Sequence, residues 1–241
     1  MRARSIQYSS PMHNNWMRHM NREQWSSGID SEINFWTRWI QTRDLSWPDD
    51  FKYRSDSIAE LKGLARRYLE DFQRTPKVLD VGAGPMTALG KMLKGRFIDL
   101  IAVDALSNLY DQLPFPEGLP PLRTQKCETE KLHEKFAADT FDVAHAQNTL
   151  DHSYDPVTAI RQMIEVTKPG GFIITTHAAN EALNENWHGF HQWNFHIDGR
   201  DFKISSQTQT FSVTEAITGA ANIIELSPDN ASWVTCVMKK V

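Results

Sequence analysis

The chain has 241 residues, with 26 Lys plus Arg against 30 Asp plus Glu and a formal charge of −4. That length suits one domain, or one with an appended cap, able to bury a full core, and the charge balance leaves no polyanion-binding surface, so no nucleic-acid partner is expected. Cys127 and Cys236 are the only cysteines, too few for a disulfide framework and without Cys-x-x-Cys spacing; with no signal-peptide core and no run of about 18 apolar residues, a soluble cytoplasmic protein with no membrane contact is expected.

Residues 1–55 form a segment of their own, holding five of the eight tryptophans, Trp16, Trp25, Trp36, Trp39 and Trp47. Ile29, Ile33, Trp36 and Ile40 step by four, three and four, which predicts a helix with Asp30 or Ser31 as N-cap that stops before Trp47-Pro48. This reads as an N-terminal helical cap whose aromatics pack on the domain or line a substrate pocket. A second helix is predicted from the capping-box pattern Ser57-x-x-Glu60 and the stripe Ile58, Leu61, Ala65, Tyr68 and Phe72. Arg54, just before it, is a solvated side chain or a guanidinium that clamps a ligand carboxylate.

Val78, Leu79 and Val81 predict a buried strand that ends in Asp80-Val-Gly82-Ala83-Gly84-Pro-Met86. Gly82 and Gly84 permit positive φ and let backbone lie against a flat ligand. Pro85 then predicts a helix through Ala88, Leu89, Met92 and Leu93, closed by Gly95. The whole reads as strand, glycine turn, helix. Residues 98–104 form a second apolar strand ending in Asp104-Ala105, and an acid at that strand end suits the two hydroxyls of a ribose. The proline-rich stretch 113–121 is a loop, a short strand follows at 122–126, and Cys127-Glu128 succeeds it.

Residues 141–147 predict a strand ending in Gln147, with Asn148 to His152 after it. A helix from Asp155-Pro156 carries Val157, Ile160, Ile164 and Val166 and ends in Lys168-Pro-Gly-Gly171, before the strand 172–176. Residues 178–200 read as an inserted lid with His188, His191 and His196. Polar β segments from 202 to 213 and strands at 222–226 and 233–238 complete the chain, the last as an antiparallel edge strand.

Taken in order, the Asp80-x-Gly82-x-Gly84 turn, Asp104, the Cys127-Glu128 stretch, the 141–152 segment and the Lys168-Pro-Gly-Gly171 turn resemble class I S-adenosylmethionine-dependent methyltransferases of the type 11/12 kind. The family's third glycine is Met86 here. The resemblance implies an α/β, doubly wound, Rossmann-like seven-stranded mostly parallel sheet over residues 56–241, with S-adenosylmethionine as cofactor. It places Asp80, Gly82, Ala83, Gly84, Asp104, Ala105, Cys127, Glu128, Gln147 and Arg54 at the cofactor, with Glu128 accepting from the adenine amino group.

The reaction then expected is displacement at the sulfonium methyl by a small-molecule nucleophile, an oxygen or a nitrogen, which the protein mainly has to orient. A protonated nucleophile needs a base, and His177 and His191 are the candidates, with His152 third. The spacing of His188, His191 and His196 matches no closed zinc pattern, so no metal is expected. Two other readings stay open: a nicotinamide-dependent oxidoreductase, disfavoured by Thr87 where a third Gly or Ala is needed, and a methyltransferase-like partner subunit without activity, whose aromatic cap is an interface.

Overall fold

A computed structural model of the chain describes residues 22–116, 118, 120–228 and 231–241; Trp16 lies outside them. The helices are α1 (Arg22–Ser26), α2 (Ile29–Thr42), α3 (Pro48–Ser55), α4 (Gly63–Leu69), α5 (Ser107–Tyr110), α6 (Pro156–Val166), α7 (Glu181–Asn184) and α8 (Val213–Ala216). The strands are β1 (Lys77–Val81), β2 (Met92–Leu93), β3 (Arg96–Phe97), β4 (Asp99–Asp104), β5 (Gln125–Lys126), β6 (Phe141–Gln147), β7 (Thr167–Ala178), β8 (Asn194–Asp198), β9 (Asp201–Ser205), β10 (Thr210–Ser212), β11 (Ala221–Leu226) and β12 (Trp233–Lys240).

Seven of these strands make one sheet in the order β11-β12-β7-β6-β1-β4-β5. Neighbours from β7 to β5 run parallel, whereas β12 is antiparallel to both β7 and β11. The antiparallel strand is therefore second from the edge, with β11 outside it, because β11 hydrogen-bonds its free side. Alternation sends Val78, Val143 and Ile174 to one face with Ala65 and Leu69 of α4. Leu79, Ala144 and Ile173 face Ile160 and Met163 of α6. Both faces are covered, which is why these strands read as unbroken apolar runs. A second sheet, β10-β9-β8, adds Phe195, Phe202 and Ile204 to the α6 side.

The helix anticipated after the glycine turn is absent. Residues Met92–Leu93 and Arg96–Phe97 instead form a hairpin, and Lys94 and Gly95 take the positive φ values, 50° and 73°, that its two-residue turn needs. The reason is a tertiary pairing: Leu61 N–H donates to Met92 O at 2.7 Å, and Lys91 N–H to Ala59 O at 2.7 Å. Residues 59–61 are extended in consequence, so the helix anticipated from Ser57 begins only at Gly63. The capping box is not made. Glu60 accepts from the N–H groups of Lys94 and Gly95 instead, at 2.9 and 2.6 Å.

Away from the rim, Asp142 is 2 % exposed and accepts from Arg74 at 2.7 Å, Lys77 N–H at 2.8 Å and Lys168 Nζ at 2.8 Å. Burial raises its carboxyl pKa, but these donors outweigh it and hold the group at about 2. A depressed folded-state pKa stabilises fully above the ordinary carboxylate range, and that stability is lost as pH falls toward about 2. Asp142→Asn is expected to lower neutral-pH stability by about 2 kcal/mol, after allowance for the exposure of Arg74. Thermal melts from neutral to acid pH should show the variant losing less stability on acidification than the parent.

Candidate functional site at the carboxyl rim of the sheet

Parallel register lines up Val81 with Val103, Asp104 with Lys126 and Gln147 with Thr176, so the carboxyl ends of β1, β4, β5, β6 and β7 share one rim. Ligands of open α/β sheets bind outside that rim. Gly82 and Gly84 turn the chain there with φ of 65° and 63°. Asp80, buried just before them, braces the turn: Thr87 Oγ1 donates to Oδ2 at 2.6 Å, and His145 Nδ1 lies 2.8 Å from Oδ1. A carboxylate only accepts, so that His145 nitrogen carries the proton.

Asp104 meets the turn from the end of β4. Gly84 N–H donates to its Oδ2 at 3.1 Å and Leu106 N–H to its Oδ1 at 2.8 Å. Ala83 is fixed by its N–H to Val103 O at 3.0 Å, and Ala105 follows Asp104, half-buried. Burial of the carboxylate end outweighs both N–H donors, with the Glu32 charge adding to it, and raises the Asp104 pKa to about 6. Beside the turn, Pro85, Ser107, Tyr110, Phe115 and Thr124 line a narrow notch with room for about one water molecule.

Helix α2 crosses this rim. A Cβ on Gly84 would sit 2.7 Å from the Trp36 ring, whose Nε1–H donates to Glu32 at 2.7 Å, and Tyr110 packs edge-on against the same ring. Arg54, from α3, is tied to Asp50 at 2.7 Å and to Met86 O at 3.0 Å, with its guanidinium facing Trp36 and Trp39. Cys127 is buried, its N–H donating to Asp104 O at 3.1 Å, and burial pushes its thiol up to about 11. Glu128 accepts from Tyr154 at 3.1 Å and pairs with Lys131 and Arg22; burial raises its pKa, but those partners carry it below the ordinary value. Gln147 stands half-buried at the end of β6.

The segment 178–200, continued by β8–β10, brings in His191. His191 Nδ1 lies 2.9 Å from Asp151 Oδ2, and His152 Nε2 lies 3.3 Å from the same oxygen. Burial opposes the charge on both partners of the first pair; the His residues nevertheless draw Asp151 down to about 2, and the Asp151 hydrogen bond raises His191 above the ordinary value. His177, at the carboxyl end of β7, is enclosed behind the same group and acts on Asp151 through its charge alone. It is 1 % exposed, stacks on Phe195 with centroids 4.2 Å apart, and burial lowers its pKa to about 4. Asp151, Glu32 and Thr149 are rim residues that pattern reading passed over, and of these only Asp151 left a signal, its place directly before His152; Trp36 is one of the cap aromatics read as packing or as a pocket wall.

Comparison with known proteins agrees with this architecture. A family profile described as a methyltransferase domain matches residues 53–208, well over half of the chain. An uncharacterized methyltransferase of Schizosaccharomyces pombe is 30% identical over 122 residues, covering 46% of this chain and 42% of that one; the chain thus spans less than half the length of this curated relative. Among solved structures, a putative methyltransferase in complex with the Haloferax volcanii Trm112 activator aligns with TM-score 0.54 at 15% identity, over 87% of this chain and 96% of the other. Burkholderia thailandensis 1,6-didemethyltoxoflavin-N1-methyltransferase, with its substrate and S-adenosylhomocysteine bound, gives 0.50 at 14% identity over 97% and 93%. The [4+2]-cyclase SpnF gives 0.53 at 12% identity over 90% and 96%, and these likenesses bear on the fold alone. No described helix is long and apolar enough to cross a membrane. With strand order, glycine turn and rim acids agreeing with the profile match, the chain belongs to the methyltransferase domain family, whose cofactor is S-adenosylmethionine.

Proposed function

We propose that the chain moves the methyl group of S-adenosylmethionine to an oxygen or nitrogen of a small molecule bound between the glycine rim and the lid. One observation carries this reading: the Gly82–Gly84 turn, Asp104 and the Asp151–His152–His191 group are all borne at the carboxyl end of the same sheet. The residues suit the cofactor. The side-chain-free bend lies against its amino-acid and ribose portions, Asp104 accepts from the ribose hydroxyls, and Glu128 accepts from the adenine amino group. Ala83, Ala105, Cys127 and Gln147 wall the adenosyl portion, while Arg54 faces the carboxylate. Asp80 acts one step back, through Thr87 and His145, to hold the turn. Because Trp36 lies over Gly84, cofactor entry requires α2 to shift at that ring.

The cofactor supplies an activated methyl with a sulfide leaving group. When bound, it would offer that carbon to an acceptor lone pair, and the acceptor's proton would pass to the Asp151–His152–His191 group. His191, held with His152 at Asp151, would face that acceptor and ease loss of its proton. His177, enclosed and neutral, walls the site from behind. The test is S-adenosylhomocysteine calorimetry with transfer of labelled methyl from S-adenosylmethionine to a panel of phenols and N-heterocycles. Micromolar binding and label transfer are expected; His191→Ala should cut transfer by roughly 100-fold or more with the cofactor affinity kept. No binding at millimolar ligand would defeat the proposal.

A further inference from the structure

The three donor atoms of the lid cluster form a triangle: His191 Nδ1 to Asp151 Oδ2 2.9 Å, His152 Nε2 to the same oxygen 3.3 Å, and His152 Nε2 to His191 Nδ1 3.3 Å. Hydrogen bonds alone do not satisfy all three edges. A carboxylate oxygen only accepts, so each imidazole must donate to use it. With both protons in place, two N–H groups face one another across the third edge. With either removed, a nitrogen lone pair faces the carboxylate oxygen or the neighbouring ring has no proton to share with it. A cation at the centre makes every contact attractive.

Two of the edges have the size such a cation needs. Zinc binds His nitrogen at about 2.0–2.1 Å and carboxylate oxygen at about 2.0–2.2 Å, which at the tetrahedral angle puts neighbouring ligand atoms roughly 3.3–3.5 Å apart; the two 3.3 Å edges match, and the 2.9 Å edge opens by about half an ångström when the ion enters. The second oxygen of the same carboxylate is a separate sign: Asp151 Oδ1 is buried with no hydrogen-bond partner, on a side chain only 3 % exposed. Glu32 Oε2 stands 3.8 Å from His152 Nδ1, on the side where a metal-bound imidazole finds its outer carboxylate.

We propose that Asp151, His152 and His191 bind a divalent transition ion, zinc above all, with a further coordination position left for the acceptor. Nitrogen and oxygen donors without thiolate, three from the protein, are the pattern of catalytic rather than closed zinc sites. The expectation of no metal rested on the spacing of His188, His191 and His196; the fold instead carries His191 to the turn Leu150–His152, across a separation of 39 residues from His152. The inference rests on the methyltransferase reading only for the ion's use, which is to polarise an acceptor oxygen or nitrogen and ease loss of its proton.

The experiment takes the 241-residue chain stripped with a chelator, titrates zinc against a chromophoric competitor, and records the visible spectrum with cobalt(II). One ion per chain, a d–d spectrum of a low-coordinate site, and affinity losses above the roughly 10- to 100-fold typical of outer-shell changes in His191→Ala and Asp151→Asn are expected, with His188→Ala unchanged. Should His191→Ala misfold by circular dichroism, His152→Gln and the parent cobalt spectrum decide the matter. No stoichiometric ion, or equal affinity in the parent and a folded ligand variant, overturns the site. S-adenosylhomocysteine calorimetry on the same samples separates the two failures: cofactor binding without metal sinks only the ion, and metal without cofactor binding sinks only the methyltransferase reading.

Discussion

Asp104→Ala is expected to weaken S-adenosylhomocysteine binding by about 100-fold, close to 3 kcal/mol, in isothermal calorimetry at neutral pH. The carboxylate sits at the end of β4 with its oxygens toward the glycine turn, where, in the proposed site, the paired ribose hydroxyls would find a charged acceptor. Removing it leaves hydroxyls desolvated against apolar neighbours, a larger loss than that of an ordinary hydrogen bond. The parent should also show a pH dependence. Its Asp104 pKa, raised by burial to about 6, means that the ionised acceptor is present above that value and is lost as pH falls through it, so affinity should drop on the acid side. Asp104→Asn, with no charge to titrate there, should bind with intermediate affinity and lack that component. Equal affinity of the parent and Asp104→Ala would remove Asp104 from the cofactor site.

Gly82→Ala is expected to be the most damaging single substitution at the rim. Its φ of 65° lies where a side chain costs about 1–2 kcal/mol, and the new Cβ would come 1.8 Å from Thr149 Oγ1 and 2.6 Å from Thr149 Cβ. Overpacking of this kind adds about 1–3 kcal/mol. The sum, roughly 2–5 kcal/mol, corresponds to a melting temperature lower by about 5–15 °C for a domain of this size. Thr149→Gly in the same chain should restore part of the loss, because it removes the clash and leaves the torsional cost. A double variant no more stable than Gly82→Ala would show that Thr149 is not what the glycine makes room for.

The exposed side chains of Phe35, Leu45, Trp47 and Ile58 flank the same N-terminal region that covers the rim. Phe35 and Trp47 are thus turned to solvent while Trp36 and Trp39 are turned inward, so only some of the aromatics of this segment pack toward the glycine turn.

The residue pattern by itself determined the strands that carry Asp80 and Asp104, the positive-φ glycine turn and the existence of α2 and α6, though α2 starts at Ile29 after Gly28 and not at an Asp30 or Ser31 cap, and Lys168 to Gly171 belong to β7 and not to a turn before it. Each rests on a local rule: continuous apolar runs for strands covered on both faces, glycine for left-handed torsions, and apolar spacing near 3.6 for helices. Tertiary structure alone decided the rest. The Leu89 and Leu93 spacing fits a helix, yet backbone pairing with Ala59 and Leu61 made it a turn and a hairpin. Trp36 reads as one member of a stripe, but only the docking of α2 sets it on Gly84. His191 meets Asp151 and His152 only because the segment after β7 folds back onto the turn that follows β6. Periodicity reports which way a side chain faces within its own element; the meeting of segments far apart in the chain is set by how whole elements pack, and there the contact energies override local preference.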